Sequence, residues 1–147
     1  MNAPTPIKPS TGTDAFHRQR SRCIDAFATA EAAVVRLLYQ FGEIGGTKPI
    51  AVKCAALGLV KASPTYTKQR KLAIDKLLTA LEEFLPTRAD MAHSRMQIID
   101  LDGVKHARFV NSAATVLPFP PCRLLSFDQM RELTRRVEDI AGQLETA

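Results

Sequence analysis

The 147-residue chain contains only three cysteines, Cys23, Cys54 and Cys122. They are odd in number, widely spaced and form no C-x-x-C. That spacing argues against a disulfide framework or a zinc knot and points to reduced thiols in a cytoplasmic protein. No apolar run approaches the roughly 18 residues that a membrane span requires, so no membrane partner is expected. The opening "MNAPTPIKPSTGT" has three prolines and no apolar signal-type core. It predicts a short flexible tail over residues 1–12 ahead of a single domain over 13–147. G-x-x-x-x-G-K, G-x-S-x-G and H-E-x-x-H are all missing, which leaves P-loop, hydrolase-elbow and zincin chemistry without support. No pattern calls for a cofactor or a metal ligand set.

What is present is a globular composition, 46% hydrophobic, with a net charge of +5. The mild excess of base permits a phosphate-bearing partner without demanding one. From Asp14 to about Phe41, Ile24, Phe27, Val34, Leu38 and Phe41 recur at helical steps, with Thr13 as the expected cap. The same steps put Arg20 and Glu31 on that apolar seam. A carboxylate there needs a partner, so Glu31 is expected to pair with a nearby cation.

"GEIGG" ends this helix. A shorter helix is expected from Pro49 to about Val60, capped by Thr47. A third is expected to begin at Ser63-Pro64, with the stripe Tyr66, Ala73, Leu77, Ala80, Leu81 and Phe84, and to end near Leu85 before Pro86.

Asp102-Gly103, between apolar and β-branched residues, predicts a tight hairpin. Residues 112–123, with Pro118, Pro120 and Pro121, are expected to be irregular. Ser126 and Gln129 form a capping box, and Leu125 can staple to Met130. Met130, Leu133, Val137, Ile140 and Leu144 then make the buried face of a last helix. The fold class expected is mainly α: an antiparallel bundle of about four helices with a small β-hairpin before the last helix.

The stretch "FLPTRADMAHS" ends the third helical pattern and holds Arg88 and His93, with Asp90 between them. Arginine–histidine spacings of this kind arise readily by chance, so their context carries the weight. "RADMAH" is followed by "DLDGVKHARF" and then by "SFDQMRELTRRVEDIAGQLE". This order resembles the HEPN domains, helical bundles with an R-x(4–6)-H motif near the end of a long helix, followed by a hairpin or loop and a final helix. The resemblance covers residues 14–145 in layout and Arg88 and His93 in motif. It departs at Ala89, where the family often carries a polar residue, with Asp90 one step later.

The resemblance implies metal-independent RNA cleavage by a homodimer, of the toxin or phage-defence type. In it the ribose 2′-hydroxyl attacks the adjacent phosphate. Arg88 would hold the phosphate with its fork, and His93 would take or give a proton near neutral pH. Asp90 and Glu31 would support the pair, Glu31 by orienting one of its members. A structural alternative has Arg88 capping the third helix and His93 bonded to backbone.

A second function class is a non-catalytic interaction or regulatory module. It would self-associate or bind a protein partner through the connection "VLPFPPCRLL". His17 in "HRQRSR", His106 on the hairpin and the lysines of the third helix read as solvated faces.

Overall fold

The computed structural model describes residue 3 and residues 12–43, 46–111 and 122–147. The expected tail falls almost entirely outside these residues, as does the proline-rich part of the expected irregular connection. The described residues are mainly helical, with a small antiparallel sheet ahead of the last helix. This is the expected class, and among the described residues it is built from five helices and three strands, the third helical pattern being split in two and the hairpin gaining one more strand. Among the described residues no helix is long and apolar enough to cross a membrane.

Helix α1 spans Thr13–Gln40, with Gly12 rather than Thr13 as the capping residue. It buries Phe16, Cys23, Phe27, Ala30, Val34, Leu37 and Leu38. Helix α2 covers Ile50–Gly58, with Pro49 at its cap. The third helix, α3, runs over Lys68–Glu82 and begins later than Ser63. The Ser63 hydroxyl accepts from Tyr66 N–H at 3.1 Å, closing a separate turn, and Thr67 supplies the cap by accepting from Arg70 N–H at 3.2 Å. Tyr66 is thereby buried against the Phe41 ring, 4.1 Å between centroids. The buried side of α3 is Ile74, Leu78 and Leu81. Leu81 is buried as anticipated and Leu77, Ala80 and Phe84 pack against the core, but the buried line shifts towards Ile74 and Leu78, so Ala73 is exposed.

Pro86 divides what the apolar pattern joined. Its ring nitrogen cannot donate to the Glu82 carbonyl, and its ring crowds that carbonyl, so α3 stops at Glu82. Proline is well suited to a first helical turn, where no donor is required. The chain accordingly restarts as α4, Leu85–His93, with Pro86 in its first turn.

Strand β1 (Met96–Leu101) pairs antiparallel with β2 (Val104–Val110). Asp102 and Gly103 both take positive φ, 52° and 81°, the mirror-image turn that matches strand twist. Gly103 N–H donates to Asp100 Oδ1 at 2.8 Å.

Cys122–Ser126 form a third strand, β3, on the other side of β2. Cys122 and Arg123 are thus strand residues and not the irregular ones expected, because β2 offers them a free ladder and no proline follows Pro121. The inner face of the sheet carries Met96, Ala107 and Phe109, all buried. Leu101, Val104 and Leu124 remain substantially exposed on the outer face.

Helix α5, Phe127–Glu145, has the anticipated reciprocal capping box. Its buried face includes Met130, Leu133, Val137, Ile140 and Leu144, and it lies along α1 as the largest interface of the fold.

Candidate functional site

Arg88 and His93 sit on α4, a nine-residue helix of their own and not the tail of α3. They are five positions apart, which on a regular helix is about 140° of rotation. The two side chains therefore leave the helix in different directions. Arg88 is half-buried and His93 exposed. The Arg88 N–H closes a helical bond to the Phe84 carbonyl at 3.0 Å. Its guanidinium makes no hydrogen bond or ion pair among the described residues, and neither does the His93 ring. Arg88 caps no carbonyl of α3, and the His93 ring bonds to no backbone group of the described residues.

Asp90 is placed differently. Its Oδ2 accepts from Arg123 Nε at 2.6 Å and its Oδ1 from Asn111 Nδ2 at 3.2 Å. The carboxylate therefore fastens α4 to β3 and to the end of β2. A charge-assisted bond of this length between partly buried groups is a strong one.

The end of α4 is held from the other side. Arg20, on the α1 seam, donates from Nε to the Met91 carbonyl at 3.0 Å and from Nη2 to the Ser94 carbonyl at 2.8 Å. Nη2 also donates to Met91 O. The guanidinium carbon lies 5.9 Å from the centre of the Phe109 ring. The last carbonyls of a helix have no partner within it, and a cation there is favourable. The cap expected from an arginine at a helix end thus exists, but it comes from Arg20 and serves α4.

Glu31 has the partner that its position demanded. Lys53 Nζ donates to its Oε1 at 2.8 Å. Eleven residues separate Glu31 from Arg20, so it lies about 16 Å further along α1 than the arginine that touches the end of α4. The structure brings Glu31 to α2, and Asp90 to Arg123; Arg88 and His93 share a helix without sharing a contact.

Lys53 was legible in principle. It recurs with Ile50, Cys54 and Leu57 at helical steps, so it too is a charge on an apolar face. Two such misplaced charges of opposite sign are natural partners. Arg123 and Asn111 carried no comparable signal.

Burial pushes the Cys54 thiol up to about 12, with Glu82 and Glu31 adding to the effect. Cys122 is exposed and accepts a long contact from Arg108 Nε at 3.4 Å. Of the other histidines, His17 is exposed and His106 has its Nδ1 3.0 Å from the Val104 carbonyl. Among the described residues no three His, Cys, Asp or Glu side chains cluster as metal ligands would. No known family model matches the chain, and no curated protein or solved structure matches it either.

Proposed function

We propose that the protein is a HEPN-like ribonuclease that works as a homodimer through Arg88 and His93. The observation that carries this reading is a contrast on one helix. The other charged groups that meet α4, Asp90, Arg123 and Arg20, are spent on holding it in place. Arg88 and His93 are the two cationic-type side chains of α4, and they have no partner among the described residues. A pinned helix that offers an unpaired guanidinium and an exposed imidazole has the two groups that phosphodiester cleavage needs.

In the proposed reaction the 2′-oxygen forms a bond to phosphorus and the bond from phosphorus to the 5′-oxygen breaks. One imidazole accepts the 2′-hydroxyl proton, and a protonated one delivers a proton to the departing 5′-oxygen. The Arg88 fork offsets charge on the phosphoryl oxygens as it develops. The angle of about 140° between the pair works against convergence on one phosphate within a single chain. A two-fold dimer answers this by pooling two pairs in one cleft.

The experiment is cleavage of a labelled single-stranded RNA by wild type, Arg88→Ala and His93→Ala. Loss of a proton-transfer group should lower the rate by about 10²-fold or more, with far-UV circular dichroism unchanged. Undiminished cleavage by both variants sinks the reading. The same angle favours a second reading, a non-catalytic helical interaction module. In that case wild type cleaves nothing at any salt concentration.

A further inference from the structure

We infer that Arg20 is the positioning residue for His93. This rests on the proposed role of His93, although its structural half stands separately. Three hydrogen bonds run from one guanidinium to the carbonyls of Met91 and Ser94, which bracket His93 in sequence. His93 is the last residue of α4, and Ser94 already has extended geometry, φ −115° and ψ 145°, leading into β1. The imidazole thus sits at a junction where helical bonding has ended and the sheet has not yet begun.

Buried Met91 and Met96 flank that junction, but helical bonding within α4 does not close it. A helix of nine residues is too short to be stable alone. α4 also lacks a glycine after its end to fold back and satisfy its carbonyls. Arg20 supplies the missing bonds from a rigid base, since its own helix has 28 residues and its guanidinium is held near the buried Phe109 ring. The planar fork matters here, because a lysine could reach one carbonyl as a point charge but could not span two.

The same helix carries an internal control. Arg36 Nη2 donates to the carbonyls of Leu144 at 2.9 Å and Glu145 at 3.0 Å, closing the end of α5. It is the same kind of contact made sixteen residues later, away from His93. Arg36→Gln should therefore cost stability without touching the α4–β1 junction.

The test compares Arg20→Gln, Arg20→Lys and Arg36→Gln with wild type in two measurements. The first is backbone amide order and hydrogen exchange at residues 91–95. Arg20→Gln should loosen these residues and Arg20→Lys should do so less, while Arg36→Gln leaves them as they are. The second is RNA cleavage, where Arg20→Gln should lower kcat by about 10- to 100-fold with KM little changed, because misplacement of about 1 Å is costly in rate.

Unchanged order at 91–95 in Arg20→Gln overturns the inference, and so does loss of order with kcat intact. Should Arg20→Gln fail to fold, Arg20→Lys is the deciding variant. If wild type cleaves no RNA the ribonuclease reading fails, and amide order alone then decides whether Arg20 holds the junction.

Discussion

Lys53 Nζ lies 2.8 Å from Glu31 Oε1, where one charge from α1 meets one from α2 inside an otherwise apolar contact. The lysine side chain is 10% exposed and the glutamate 24%. Removing only one partner leaves the other charge poorly solvated, whereas replacing both with apolar groups does not. Glu31→Ala should cost roughly 1–3 kcal/mol of unfolding free energy. Glu31→Met with Lys53→Met should recover most of that loss. Denaturant unfolding of the three variants checks it, and a double variant weaker than the single contradicts the account.

Asp90 and Arg123 meet at 2.6 Å and make the link from α4 to β3. Asp90→Asn keeps the shape but removes the charge, and should destabilise by roughly 1–2 kcal/mol. Much of that cost should disappear in the Arg123→Met background, because the lone guanidinium is then gone too. A double-mutant cycle on melting temperature reads the coupling directly.

The cysteines should separate by reactivity. Cys122 is exposed, whereas Cys23 and Cys54 are buried and burial pushes both thiols up. A thiol reagent near neutral pH should label one site per folded chain, and three after denaturation. The Cys54 shift also sets a pH dependence. The folded thiol ionises at about 12 and the free thiol at about 9. Below 9 both states are protonated and nothing is lost. As pH rises from 9 towards 12 only the unfolded chain sheds its proton, so stability falls. Cys54→Ala should flatten that alkaline decline, and an unchanged slope would contradict the assignment.

Among the described residues, two buried hydroxyls, Tyr66 OH and Ser94 Oγ, have no hydrogen-bond partner. An unsatisfied buried hydroxyl opposes folding, so Tyr66→Phe and Ser94→Ala should leave stability unchanged or raise it by up to about 1 kcal/mol. Thermal melts settle this. A clear loss in either variant would show that the hydroxyl does have a partner in solution.

Elements governed by nearby residues were readable before any coordinates. The box of Ser126 and Gln129, the turn at Asp102-Gly103 and the buried face of α5 each depend on residues a few positions apart. In the sequence Pro86 marks only an interruption of the helical pattern. Proline stops the helix behind it and suits the start of the one ahead, and only packing decides whether a new helix follows.

The long-range pairings could not be read this way. The α1 seam showed that Arg20 and Glu31 were polar residues in apolar company and so had to find partners. It could not say that Arg20 would close α4, or that Glu31 would turn to Lys53 and not to the Arg88–His93 pair. Those choices depend on which helix lies beside which turn of α1, over sequence separations of 22 to 74 residues. Local chemistry determined the capped last helix, the hairpin turn and the need for partners. The tertiary structure decided who the partners are, and it spends Asp90 and Arg20 on anchoring α4 while Arg88 and His93 have no partner among the described residues.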